Sequence, residues 1–227
     1  MYFRISLLYN ATVIVYIAVF HALLMEDVII FDYDGVIADS KEIFMKYFLE
    51  ACKIYGVNVT TEEEFLRLYE GNIYESMLSM GLSREKILSV VYHMRKGLIE
   101  NRDRIRIFSG MQEVLKALSS HPLFIVTSND TEVVKEFLQS WNINFFKEIL
   151  GSDREASKEK KIKSIMKKYP SSKHFFVGDT MGDIMEGKRA GARTVAATWG
   201  WHSEGELIKA EPDYIVKTPF ELLQIFE

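Results

Sequence analysis

Three short stretches of this 227-residue chain carry side chains suited to chemistry: Asp32-Tyr33-Asp34-Gly35, Thr127-Ser128-Asn129-Asp130 and Gly178-Asp179-Thr180-Met181-Gly182-Asp183. Each follows a short apolar run. Asp32 and Asp34 stand two residues apart where a strand gives way to a glycine turn, a spacing that can bring both carboxylates to one side of a crevice. With Asp179 and Asp183 arriving from another strand end, four carboxylates would crowd together, and their pKa values would rise unless a cation neutralised them. Magnesium suits Asp32, Asp34, Asp179 and Asp183 as a set, because it is hard, prefers oxygen ligands and leaves room in its shell for phosphate and water. Any one of these aspartates alone reads as a turn or a helix cap. It is their convergence that points to a metal site.

Thr127 follows Phe124-Ile125-Val126 and precedes a helical pattern, so its hydroxyl and the amides of Ser128 and Asn129 could grip phosphate oxygens. An N-cap is the plainer use of this stretch, and Asn129 or Asp130 could fill it equally well. A cation for the same phosphate comes from the lysine-rich stretch 158–168, where Lys160, Lys161 and Lys163 compete with Lys158. Lys158 is preferred because it precedes the first apolar turn, with Ile162 and Ile165 at helical spacing behind it.

These residues need elements to carry them. From Val28 onward, short apolar runs (Val28 to Phe31, Leu123 to Val126, Glu148 to Leu150, His174 to Val177, Thr194 to Ala197, Tyr214 to Val216) alternate with amphipathic stretches. This is the pattern of an α/β fold: a doubly wound, Rossmann-like parallel sheet with helices on both faces. All three chemical stretches fall at the carboxyl ends of strands, which converge on one crevice in such a sheet. Residues 41–104 break the rhythm. They show helical periodicity with breaks at Gly56, Gly71 and Gly81 and no convincing strand. An insertion of about 60 residues is too long for a loop and is expected to pack as an all-helical module. The core is then 26–40 and 105–227.

Residues 1–25 form an apolar N-terminal extension. It has only Arg4 as a positive flank, carries Asn10 and His21, lacks a clear cleavage site, and runs almost directly into the first strand. The expected true start is therefore Met25, with membrane insertion disfavoured. A net charge of -4 leaves no basic footprint for nucleic acid. A small substrate fits better, and the oligomeric state expected is a monomer or homodimer. The single cysteine, Cys52, excludes an internal disulfide and fits a reducing cytoplasm.

Taken together, Asp32-Tyr33-Asp34-Gly35-Val36, Thr127, a lysine near Lys158, and Gly178-Asp179 with Asp183 resemble the four motifs of the haloacid dehalogenase superfamily. The chain is most similar to its phosphoglycolate phosphatase and β-phosphoglucomutase branch, in which a helical cap lies between the first two motifs. The tail from Thr198 to Ser203 and from Pro212 to Val216 is also similar to phosphoglycolate phosphatase-like proteins. The Lys-Pro pair common in that branch is missing here. The resemblance implies a magnesium-dependent phosphatase acting on a small, phosphoglycolate-like phosphomonoester through an aspartyl phosphate. It casts Asp32 as nucleophile and Asp34 as acid and base. Asp32, Asp179 and the Asp34 backbone carbonyl would hold Mg2+ with Asp183 steadying them, while Thr127 and Lys158 would hold the phosphoryl group. A phosphomutase is the alternative. A receiver-type signalling protein or a non-catalytic binding protein would use similar groups, but a compact receiver has no place for the insertion.

Overall fold

A computed structural model describes residues 27–226. The proposed start at Met25 and the extension before it lie outside the described residues. Six strands form one parallel sheet in the order β5-β4-β1-β6-β7-β8: β1 Val28–Phe31, β4 Leu123–Val126, β5 Phe146–Leu150, β6 His174–Gly178, β7 Arg193–Ala197 and β8 Tyr214–Val216. β1 lies between β4 and β6, so the strand order reverses beside it and a crevice opens at its carboxyl end.

The strands read as unbroken apolar runs because both sheet faces are covered. Along β1 the residues alternate between two apolar clusters. Val28 and Ile30 pack with Ile162 and Ile165 of helix α7 (Lys158–Lys168), whereas Ile29 and Phe31 join the larger cluster that includes Val134 and Phe137 of α6 (Thr131–Ser140). The remaining core helices are α5 (Met111–Ala117), α8 (Met181–Ala190), α9 (Glu204–Lys209) and α10 (Leu223–Phe226).

Between β1 and α5 the chain is helical apart from one antiparallel ribbon, in which β2 (Ala38–Asp39) pairs with β3 (Arg106–Ile107). The helices are α1 (Lys41–Tyr55), α2 (Glu62–Arg67), α3 (Ile73–Ser79) and α4 (Arg84–Glu100), and the breaks expected at Gly56, Gly71 and Gly81 fall between them. Their starts are written in the sequence. Thr61 and Glu64 close a capping box on α2, and Asn72 and Ser83 cap α3 and α4. The apolar interior runs from the sheet into these helices without interruption. Trp201, in the loop after β7, packs at 5.0 Å from Phe44 and 4.9 Å from Tyr69, both on the helical insertion. Among the described residues, no helix is long and apolar enough to cross a membrane.

Candidate active site

The loop after β1 turns sharply at Gly35, whose φ of 81° is open to glycine at little cost. A Cβ there would also overlap Asp179 Oδ2, and a Cβ on Gly200 would do the same from the loop after β7. Two glycines thus let the β1, β6 and β7 loops close around one carboxylate. Asp179 is fully buried; its Oδ2 accepts the Trp201 N–H at 2.7 Å, while its Oδ1 accepts no hydrogen bond.

Asp32, Asp179 and Asp183 each offer an oxygen within 4.8 Å of the others, and all three are buried. A hard divalent cation fits this donor set, and the orphaned Asp179 Oδ1 is an oxygen such an ion would satisfy. Asp183 is tied down as well. Its Oδ2 accepts from the Thr180 hydroxyl at 2.6 Å and the Thr180 N–H at 3.1 Å, closing the capping box that starts α8. α8 therefore begins at Met181, because Thr180 is its N-cap.

Lys158 occupies the first turn of α7, which Ser157 caps. Its buried ammonium donates to Asp32 Oδ2 at 2.7 Å and to Asp183 Oδ1 at 2.6 Å. Of the four lysines considered, this is the one that reaches the carboxylates. The two acids outweigh burial and hold Lys158 protonated well above its usual range. Burial pushes Asp32 up to about 7, with Lys158 opposing, and burial together with the neighbouring Asp183 and Asp32 raises Asp179 well above its ordinary value.

Asp34 stands apart from the trio by its side chain. Its Oδ1 accepts from the Ser40 hydroxyl at 2.7 Å and its Oδ2 from Asn129 Nδ2 at 3.1 Å. Ser40 sits at the N-cap of α1 but makes no cap bond, since its hydroxyl is used here. Burial raises the Asp34 pKa, with both donors pulling the other way. Its carboxylate is thus held by two donors of its own, apart from the Asp32, Asp179 and Asp183 group.

Thr127 is buried at the end of β4, and its Oγ1 accepts the Asn129 N–H at 3.0 Å. Thr127, Ser128, Lys158, Asp32, Asp34 and Asp183 line one crevice, closed from above by Phe44, Tyr69 and Trp201. Asn129 stands just behind it, on Asp34. The sequence-predicted residues are therefore brought together. Sequence reasoning did not single out Ser40 as a partner of Asp34. Ser40's position just ahead of a helix was the available signal; nothing local marks the Trp201 N–H.

The closed arrangement is held by polar contacts across the crevice. Asn72 Nδ2 donates to both oxygens of the buried Glu186 at 3.3 Å, and Met181 N–H donates to His202 Nδ1 at 3.0 Å. The opposite ring nitrogen of His202 is then free to donate to the Leu66 carbonyl, 3.1 Å away on α2.

Comparison with known proteins decides the lineage. A model of haloacid dehalogenase-like hydrolases matches residues 29–197. The chain belongs to this family. It is 24% identical over 201 residues to a phosphoglycolate phosphatase of Synechococcus elongatus, covering 86% of this chain and 95% of that one. It is 25% identical over 208 residues to the pyrophosphatase PpaX of Bacillus velezensis, covering 87% and 94%. Among solved structures, a haloacid dehalogenase-like family hydrolase from Streptococcus pneumoniae superposes with a TM-score of 0.74 at 27% identity, over 89% of this chain and 99% of that one. A hydrolase from Pseudomonas syringae shares the fold, with a TM-score of 0.73 at 18% identity over 88% and 97%. Membership in this family makes the chain a hydrolase built on an α/β core.

Proposed function

We propose that the protein is a magnesium-dependent phosphatase that releases inorganic phosphate from a small cytoplasmic phosphomonoester through a phosphoryl group carried on Asp32. The observation that carries this reading is the division of labour between two buried carboxylates: Asp32 faces Lys158 and the acidic trio, while Asp34 is held separately by Ser40 and Asn129.

In the first half-reaction an Asp32 oxygen bonds to phosphorus as the ester P–O bond breaks, and Asp34 gives its proton to the departing oxygen. In the second, Asp34 takes a proton from water as the water oxygen attacks phosphorus, and the Asp32–phosphorus bond breaks. A raised pKa suits Asp34 to the first step, and its two hydrogen-bond donors suit the ionised form needed for the second. Asp32, Asp179 and Asp183, with the Asp34 carbonyl, would hold Mg2+, whose charge keeps the nucleophile ionised and offsets that of the phosphoryl oxygens. Lys158 and Thr127 hold the same oxygens from the other side. Residues 41–104 act as a cap, with Tyr69 and Phe44 excluding water from the reacting atoms.

Phosphoglycolate and pyrophosphate enter as candidate substrates from the relatives' names. The test is phosphate release from a panel of these, sugar phosphates and p-nitrophenyl phosphate, with magnesium or with chelator. Magnesium-dependent release of phosphate, abolished by Asp32→Asn, is expected. Absence of release from every ester, with exchange between sugar phosphate isomers, would replace this reading by a phosphomutase.

A further inference from the structure

Helix α7 buries a second ammonium that the proposed reaction does not use. Lys161 is 2% exposed and lies one helical turn beyond Lys158. Its Nζ donates to the Thr127 carbonyl at 2.6 Å and to the Gly151 carbonyl at 3.4 Å, the ends of β4 and β5. No carboxylate pairs with it among the described residues. Burial and the charge of Lys158 push its pKa down to about 8. A neutral side chain of similar length would fill this space without the cost of burying a charge.

The Thr127 carbonyl belongs to the same peptide group as the Ser128 N–H. No peptide bond among the described residues is cis, so in this planar trans group the N–H points away from the carbonyl and hence away from Lys161. Ser128 lines the crevice beside Asp32 and Lys158. The next two amides are already committed: Asn129 N–H to Thr127 Oγ1 and Asp130 N–H to Asn129 Oδ1. The Ser128 N–H donates to no protein group among the described residues.

We infer that Lys161 is a positioning residue, whose ammonium holds and polarises the Thr127 carbonyl so that the Ser128 N–H is aimed at an oxygen of the bound phosphoryl group. The inference rests on the phosphatase reading. An ammonium on the carbonyl oxygen draws electron density through the peptide and makes its N–H the stronger donor. Because the donor is fixed before substrate arrives, it needs no reorganisation when charge builds on the phosphoryl oxygens. Lys158 and Lys161 then serve one ligand from a single helix, the first by direct contact and the second through a peptide group.

The test is isothermal titration of inorganic phosphate into the full chain in magnesium, comparing wild type with Lys161→Met, alongside turnover of p-nitrophenyl phosphate. The variant is expected to fold, to keep its magnesium affinity as read by tryptophan fluorescence, and to lose on the order of tenfold in both phosphate affinity and kcat/KM. A folded variant with wild-type phosphate affinity and kcat/KM overturns the inference. Wild-type protein that releases no phosphate from any ester overturns the phosphatase reading itself, an outcome seen without the variant. Should Lys161→Met not fold, the wild-type chain still decides. Its Ser128 amide proton should move downfield in the NMR spectrum when phosphate is added, and a stationary resonance overturns the inference.

Discussion

The Ser40 hydroxyl donates to Asp34 Oδ1 at 2.7 Å, giving up a helix cap to do so. This bond favours the ionised carboxylate and partly opposes the burial that raises its pKa. Ser40→Ala removes it, so Asp34 should hold its proton to higher pH. The limb of the pH–rate profile that requires ionised Asp34 should move to higher pH, with kcat lower by about tenfold. Profiles of the two proteins on p-nitrophenyl phosphate test this, and an unmoved limb would argue that Asp34 is no proton carrier.

Asp32→Asn and Asp34→Asn should each lower turnover on the order of a thousandfold or more, because a nucleophile and its acid work as a unit. Phosphate release at saturating substrate is the measurement. Near-normal turnover in either variant would strip that residue of its role.

Metal and pH should act together on stability. Burial raises Asp34 and Asp179 and brings Asp32 from 3.8 to about 7. The folded chain therefore holds protons that the unfolded chain has released, and this set of carboxylates costs the fold progressively more as pH rises from 3.8 through about 7. Magnesium should restore what is lost, so the gap in Tm between magnesium-loaded and chelated protein should widen across that window. Thermal melts in buffers spanning it are the check, and a gap that stays constant would contradict the reading of the acidic trio.

Gly200→Ala should act at a distance from the chemistry. The added Cβ would overlap Asp179 Oδ2 and crowd Gly35, so the carboxylate must turn. The magnesium concentration for half-maximal activity should rise by about tenfold or more, in line with the usual effect of disturbing a ligand's support. An unchanged magnesium titration would show that Asp179 is not held for a metal.

Tyr69 presents a buried hydroxyl without a hydrogen-bond partner to the crevice. Tyr69→Phe should leave the melting temperature unchanged, since no bond within the protein is lost. The KM of the best substrate should rise by about threefold, the share of one neutral hydrogen bond to the leaving group. An unaltered KM would assign the phenol to packing alone.

The strands were legible because a sheet covered on both faces needs apolar residues at every position, as in Val28–Phe31 and Leu123–Val126. The acidic loops were legible because strand ends converge. What stayed hidden is what helical pitch and tertiary approach decide. Four lysines within six residues look alike in sequence, yet Lys158 meets Asp32, Lys161 meets Thr127, and Lys160 and Lys163 make ion pairs on the surface. Strands of two residues, such as Ala38–Asp39 and Arg106–Ile107, are too short to show a period. Backbone donors such as the Trp201 N–H carry no signature at all.

The ribbon formed by those two short strands has an evolutionary consequence. Ala38 pairs with Ile107 and Asp39 with Arg106, so the chain leaves for the helical insertion and returns from it at one spot. The sheet is therefore indifferent to the length of the excursion, and the entropy of closing it grows only with the logarithm of that length. Natural selection can shorten, extend or exchange the segment that covers the crevice as a single cassette, leaving the four acidic residues beneath it in place.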